Sequence, residues 1–365
     1  MRADRHLLMT ADAVGGVWTY AMDLAAALVP LGTRTTLAVM GTGVEARHRE
    51  AAAAIPRLTL VETGWPLDWL AKEPSAILRA GEALAALASR VRADLLQLNS
   101  PALAAAARFP CPVVGVCHSC LATWWDAMRQ GALPDDFAWR DALLKQGYAR
   151  CDALVAPSRA FAAATARVHG LALPEVVWNG RRASGVAARA GHFAFTAGRL
   201  WDEAKDVATL DAAAAVLDLP FFAAGPTGAP HGSVVALPHL RLLGGLDAQA
   251  IAAWLARGPI FVSAARYEPF GLAVLEAAQA GCALVLSDIP TFRELWDGAA
   301  VFVRPGDAAA FADAIFMLSR NREQRSLLRV AALHRSQRYT AEAMAAGMAA
   351  IHARLLAQGG GRSAA

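Results

Sequence analysis

Lysine is almost missing from this sequence: Lys72, Lys145 and Lys205 are the whole complement, and no dense Lys/Arg run appears anywhere in the 365 residues. A formal net charge of +4 without a basic cluster gives no electrostatic footprint for nucleic acid, so no nucleic-acid partner is expected. The balance is compatible with a small anionic ligand, with weak peripheral contact at an anionic membrane, or with an arginine-rich composition of no functional meaning. Cysteine is also sparse. Five residues, Cys111, Cys117, Cys120, Cys151 and Cys282, make an odd set that argues against a disulfide scaffold and for a reducing, cytoplasmic setting. Cys117-His118-Ser119-Cys120 has the outline of a redox or metal motif, but no second pair stands at zinc-finger spacing, and no metal or cofactor is expected. No uncharged apolar run of about twenty residues exists, so no membrane span is expected. The segment Met1 to Met9 carries Arg2, Asp4 and Arg5 and does not read as a signal peptide.

What is present is apolar and alanine-rich. Hydrophobic residues make up 56% and aromatics only 7%, which suits closely packed helices on parallel sheets. The length predicts two α/β domains of roughly 150 to 180 residues each. Short β-rich runs alternate with helical segments: strands at His6–Ala13, Thr35–Met40, Leu58–Glu62, Asp94–Leu98, Pro112–His118, Ala153–Pro157 and Glu175–Trp178, with helices at Val17–Val29 and Ser75–Arg92 among those between. Residues 181–191 have no period and read as a linker. The grammar then restarts with strands at His192–Ala197, Phe221–Ala224, Leu240–Leu243, Ile260–Ser263, Ala283–Ser287 and Ala300–Val303. Helices are expected at Asp206–Leu217, Ala248–Arg257 and Leu272–Ala280, and almost throughout from Ala308 onward. Such alternation implies parallel sheets with right-handed crossovers, and ligands at strand C-termini.

Four segments carry candidate chemistry. In Arg266-Tyr267-Glu268-Pro269-Phe270-Gly271-Leu272-Ala273-Val274-Leu275-Glu276, a strand end passes into a helix start. The N–H groups of Phe270, Gly271 and Leu272 would point toward an anion, and Glu268 and Glu276 could each hold a pair of hydroxyls. A capped helix with two solvated glutamates explains the segment in blander terms. In Gly198-Arg199-Leu200-Trp201-Asp202-Glu203-Ala204-Lys205-Asp206, two cations sit on one strand-to-helix loop, where they could clamp a diphosphate or simply be solvated. Gly15-Gly16 lets a phosphate or sugar approach the backbone, or is an ordinary turn. It is neither a dinucleotide fingerprint nor a P-loop, which leaves a nicotinamide dehydrogenase without its mark. His118, at a strand end, is a sugar-site candidate or a structural histidine. Among Trp65, Trp69, Trp124, Trp125 and Trp139, the adjacent Trp124 and Trp125 are candidates for acceptor contact.

These residues, in this order, resemble the retaining, GT-B-fold glycosyltransferases of the glycogen synthase, sucrose synthase and mannosyltransferase group, that is, the family-4-like enzymes. The likeness covers nearly the whole chain and is strongest from Gly198 to Asp307. It continues through Gly281, Ser287, Glu294 and Pro305-Gly306-Asp307, with Pro157-Ser158 and Asn179-Gly180 as earlier landmarks. It implies two Rossmann-like doubly wound domains facing a cleft. Residues 1–185 would form the acceptor domain and 186–340 the nucleotide-sugar donor domain, with 341–365 a returning helix (matched over Thr340 to Leu356) and flexible tail. It also implies roles: Arg199 and Lys205 on the donor diphosphate, Glu268 on the transferred sugar with Phe270, Gly271 and Leu272 behind it, and Glu276 on the ribose. Gly15 and Gly16 would approach the donor phosphates and His118 would line the sugar site. The implied reaction moves a sugar from a nucleotide diphosphate to an acceptor (carbohydrate, lipid-linked or small-molecule), with retention and without metal.

Two departures stand out. The usual acidic residue after Asn-Gly is replaced by Arg181-Arg182, and Lys205 is followed by Asp206 where glycine is usual. Other readings stay open: a sugar-nucleotide-binding or regulatory module without turnover, or a phosphorylase or epimerase on the same fold. A pyridoxal-dependent phosphorylase would have Lys205 as its only lysine in the second domain.

Overall fold

Residues 4–13, 15–129, 131–183, 191–229 and 232–362 are described by the structure, a computed structural model. The chain divides into two units, Met1–Gly180 with Ala341–Ala365, and Arg181–Thr340. The 185/186 boundary expected from sequence lies within residues 184–190, outside the described residues, as does most of the 181–191 linker.

The first unit runs β1 (Arg5–Asp12), α1 (Gly16–Leu28), β2 (Thr33–Met40), α2 (Ala46–Ala53), β3 (Leu58–Glu62), α3 (Pro74–Val91), β4 (Leu95–Leu98), β5 (Val113–Val116), α4 (Leu121–Met128), α5 (Asp135–Arg150), β6 (Ala153–Ala156), α6 (Arg159–His169) and β7 (Glu175–Val176). The second runs β8 (Ala194–Ala197), α7 (Val207–Ala214), β9 (Phe221–Ala224), β10 (Arg241–Leu242), α8 (Ala248–Leu255), β11 (Ile260–Ser263), α9 (Leu272–Gln279), β12 (Ala283–Ser287), α10 (Pro290–Trp296), β13 (Val301–Val303), α11 (Ala308–Arg320) and α12 (Arg322–Ser336). Helix α13 (Ala341–Arg362) returns to the first unit. It extends six residues past Leu356, the expected end.

Both sheets are parallel throughout. Their orders are β3-β2-β1-β4-β5-β6-β7 and β10-β9-β8-β11-β12-β13. Each therefore reverses direction of growth once, between β1 and β4 and between β8 and β11, and ligands in doubly wound sheets bind at the strand C-termini beside that reversal. The central strands are buried on both faces, which is why they read as unbroken apolar runs: Leu7 to Ala11 in β1 and the whole of β12 are buried.

In the first unit, α13 presents Ala341, Met344, Ala345, Met348, Ile351 and Leu355, spaced three and four residues apart, and joins Tyr20, Ala21, Leu24 and Leu28 of α1 in one core. Fully burying side chains such as Met348, Ile351 and Leu355 stabilises by about 2 kcal/mol each. The second core gathers Leu210, Phe221, Val262, Val285, Phe311 and Ile315.

Sequence-derived boundaries shift where backbone pairing decides. β8 starts at Ala194 rather than His192, because Gly191 donates to the Gly258 carbonyl outside the ladder (2.9 Å). α7 stops at Ala214 rather than Leu217. Val216 and Leu217 donate three residues back, to Ala213 and Ala214, tightening the last turn.

Candidate functional site

In the second unit, β8 runs out at Ala197 into Gly198 and Arg199. The Gly198 carbonyl lies so close to the end of β9 that a Cβ on Gly225, itself at φ 142°, would stand 1.7 Å from it. Only glycine fits there, and the close approach folds the 198–206 loop over the strand ends. Asp202 then accepts from Ala204 N–H (3.0 Å), closing a single turn over Glu203–Lys205. The Ala204 carbonyl accepts from Arg266 N–H (2.8 Å), stitching this turn to the loop after β11. That stitch brings Lys205 Nζ onto Glu268 Oε2 in an ion pair.

The two segments line one recess, with Gly198, Arg199 and Lys205 on one side and Ser263, Glu268 and Gly271 on the other. It sits at the C-terminal ends of β8 and β11, the point of reversal. The Lys205 and Glu268 side chains are 25% and 15% exposed, so their attraction is neither fully screened by water nor isolated from it. Arg199 is held by Asp202 Oδ2 (2.6 Å) and lies over the Trp201 ring (5.6 Å).

Gly271 takes φ 93° at the start of α9, and no side chain caps that helix. The first N–H groups of a helix have no partner within it, so this end offers donors to an anion. The Phe270 side chain does not face the recess. It is buried, edge-on to Tyr339 at 5.7 Å, so only its main chain could serve a ligand. Leu272 opens α9. Glu276, one turn on, is not among the recess walls and pairs with Arg181 (3.0 Å).

In the first unit, Gly15 caps α1 at φ 76°, ψ −138°, a conformation essentially closed to other residues, whereas Gly16 is simply the first helical residue. His118 follows β5. Its Nε2 lies 2.9 Å from Asn99 Oδ1, and Asn99 Nδ2 donates to the Thr10 carbonyl (2.7 Å). The second contact fixes the amide's orientation, so Asn99 presents its oxygen and His118 Nε2 must be the donor. Nδ1 is then the acceptor nitrogen. Burial holds the His118 pKa down to about 4, so the ring is neutral. Tyr20 packs edge-on against it at 4.6 Å.

Trp124 and Trp125 lie on α4, half-buried, with the Arg129 guanidinium 4.8 Å and 6.0 Å from their rings. Trp125 Nε1 donates to Gly131 O (3.2 Å). The geometry thus joins Arg199, Lys205, Glu268 and Gly271, and separately Asn99 and His118. It does not bring Phe270's ring or Glu276 into the recess.

Two residues and one pairing are not singled out by the sequence. Asn99 stands one position past the expected end of β4, a polar residue where strands meet ligands. Asp202 follows Arg199 by three residues, within reach of an ion pair. The Arg181–Glu276 pairing had no local signal. Among the described residues no helix is long and apolar enough to cross a membrane.

Each of the two parallel units, with its own reversal point, is Rossmann-like, and two such domains in one chain make up the GT-B fold. The solved structures agree. Sucrose-phosphate synthase from Thermosynechococcus elongatus superposes with TM-score 0.80 at 18% identity, covering 97% of this chain and 100% of that one. Anabaena HepE in complex with UDP-glucose gives 0.73 at 17%, covering 96% and 100%. Trehalose 6-phosphate synthase from Burkholderia multivorans gives 0.71 at 15%, covering 98% and 100%. No curated protein matches the sequence. The model of Glycosyltransferase Family 4 matches residues 14–183, and that of Glycosyl transferases group 1 matches residues 191–321. The chain belongs to this family-4-like class of GT-B glycosyltransferases.

Proposed function

We propose that the protein transfers a sugar from a nucleoside diphosphate to an acceptor hydroxyl, with retention of anomeric configuration and without a metal ion. The observation that carries this reading is the convergence of Arg199, Lys205, Glu268 and the uncapped start of α9 on one recess at the strand C-termini. HepE's complex with UDP-glucose supports a nucleotide-sugar donor.

In this reading Arg199 and Lys205 take the diphosphate, supplying the positive charge that a metal supplies elsewhere. Main-chain donors at Phe270, Gly271 and Leu272 support the sugar and phosphate. Glu268 meets the sugar's hydroxyls, Glu276 the ribose diol, and Gly15 and Gly16 let donor phosphates near the backbone. Neutral His118 offers Nδ1 to a sugar hydroxyl, and Trp124 and Trp125 present apolar faces to an acceptor. The acceptor oxygen forms its bond to the anomeric carbon on the face from which the phosphate oxygen departs. The departing phosphate oxygen takes the acceptor's proton, so no separate base is needed, and the charge left on the diphosphate is met by Arg199 and Lys205.

A thermal-shift screen against UDP-, GDP-, ADP- and TDP-sugars identifies the donor, since a ligand that binds only the folded state raises the melting temperature. Product NMR with that donor, in chelator, then tests the rest. An inverted anomeric centre or a strict divalent-metal requirement overturns the proposal.

A further inference from the structure

Arg181 stands where the sequence departs from the resemblance, and its main chain is held through both its N–H and its carbonyl. Its N–H donates to the Tyr339 carbonyl (3.1 Å), and it forms a parallel bridge with Thr340. Its own carbonyl accepts from Gln279 Nε2 at the end of α9 (3.1 Å). From that anchored main chain the guanidinium reaches Glu276 Oε1 at 3.0 Å, with the two side chains 19% and 26% exposed. Tyr339 is itself held, donating to the Leu295 carbonyl (3.3 Å) and packing on Phe270. The guanidinium that ties Glu276 thus springs from a main chain that Glu276's own helix holds through Gln279.

We infer that Arg181 is a positioning residue that sets the Glu276 carboxylate for the nucleotide's ribose. This rests on the proposed nucleotide-sugar reading and adds a specificity determinant to it. A carboxylate offers about four acceptor positions on two oxygens, so one held by a cation retains capacity for a vicinal diol. Holding the rotamer in advance removes an ordering cost from binding, and the gain falls on ligands that carry the hydroxyls. The expected signature is therefore selective: losing Arg181 weakens recognition of the ribose, not of the diphosphate.

The test measures dissociation constants by calorimetry for UDP, GDP, ADP and TDP, then, for whichever binds, for the ribo, 2′-deoxy and 3′-deoxy forms with its base. Wild-type protein is expected to favour the ribonucleotide by about tenfold or more, the scale of a hydrogen bond to a charged group. Glu276→Ala is expected to bring the preference to about unity. Arg181→Ala is expected to reduce it to within about threefold of that value while affinity for the deoxy compounds barely changes, and Arg181→Lys to restore part of it. Adding Arg181→Ala to Glu276→Ala is expected to change nothing further. An Arg181→Ala variant with undiminished ribose preference, or one that weakens all three nucleotides equally, overturns the inference and leaves the donor site standing. Wild-type protein without ribose preference overturns it at Glu276. Failure of UDP, GDP, ADP and TDP alike to bind overturns the nucleotide-sugar reading itself.

Discussion

The two units share the order of six strands, to which the first adds β7, and differ in the chemistry at the reversal point. In the second unit that point is built from charges kept in opposed pairs: Lys205 with Glu268 and Arg199 with Asp202, with Arg181 and Glu276 behind them. In the first unit the corresponding hydrogen-bond chain, Thr10 to Asn99 to His118, is uncharged. Among the described residues, every histidine with a lowered pKa (His6, His48, His118, His169 and His352) lies in the first unit, and burial is the leading cause for each. In the proposed reading the contrast divides two tasks between two copies of one fold. Meeting an anion needs cations that partner carboxylates restrain until the ligand comes. Meeting hydroxyls needs neutral donors and acceptors whose orientation is fixed.

The largest effect should come from breaking the charged side. Lys205→Ala and Glu268→Ala are each expected to lower kcat by about 10³-fold, the scale seen when a charge-stabilising group is removed from a site. The folded state should change by only about 1 kcal/mol, since the pair is partly solvated. The pair's unity shows in the double variant, whose loss should be no larger than the greater single loss. Activity of either variant within about threefold of wild type removes that residue from the chemistry.

Next is acid stability, which the comparison assigns to the first unit. His352 on α13 is buried, its Nε2 has no hydrogen-bond partner among the described residues, and burial with nearby Arg5 lowers its pKa from 6.5 to about 4. The unfolded chain therefore takes up the proton first. The stability is whole above pH 6.5 and drains as pH falls toward 4, by up to about 1.4 kcal/mol per pH unit for each such histidine. His118 acts in the same direction. Asp68, whose pKa burial raises, acts in the opposite one. His352→Leu is expected to flatten the slope of unfolding free energy between pH 6.5 and 4.5 by about one proton's worth. It should also stabilise at neutral pH by about 1 kcal/mol through loss of the unsatisfied nitrogen. Hydrogen exchange at pH 4.5 that opens the second unit first would contradict the assignment.

The neutral side can be made charged by one atom. Asn99→Asp keeps an oxygen toward His118 but loses the donation to the Thr10 carbonyl, and an adjacent carboxylate raises a histidine's pKa. Wild-type activity should be free of a His118 titration between pH 5 and 8. The variant should lose about tenfold in kcat/KM and gain a falling acid limb, because protonation consumes the Nδ1 acceptor. An unchanged pH profile means that His118 does not act through a neutral ring.

Much of this was legible in the sequence, for identifiable reasons. Buried parallel strands are continuous apolar runs, so Phe221–Ala224, Ile260–Ser263 and Ala283–Ser287 were placed to the residue. Arg199, Lys205 and Glu268 were legible because they sit on loops directly after predicted strands. The contacts that organise them were not. Arg266 N–H to Ala204 O, Asn99 to Thr10 and Arg181 to Glu276 join residues 62, 89 and 95 positions apart, and no local pattern encodes pairings of that separation. Phe270 is legible only in part: Gly271 and Leu272 after it mark a helix start, but nothing local shows that its side chain packs on Tyr339.

Asp206 tests the smallest of these differences. Asp206 stands where the resemblance leads to an expectation of glycine, and it takes the left-handed conformation that glycine favours, φ 47° and ψ 45°. Aspartate tolerates that region better than most residues. It gains a hydrogen bond from Thr209 Oγ1 (2.9 Å), although burial raises its pKa and so marks the carboxylate as poorly solvated. Asp206→Gly gives up the hydrogen bond and adds freedom to the unfolded chain, but relieves both the backbone and the desolvated charge. These terms are each about 1 kcal/mol and offset one another, so stability should move by less than about 1 kcal/mol and kcat by less than about threefold. Asp206→Val has neither the hydrogen bond nor access to the left-handed region. It should cost about 2 kcal/mol and displace Lys205, lowering kcat well beyond the glycine variant. If valine and glycine behave alike, the turn does not set the lysine's position, and the restraint on the charged site lies in the Arg266 stitch alone.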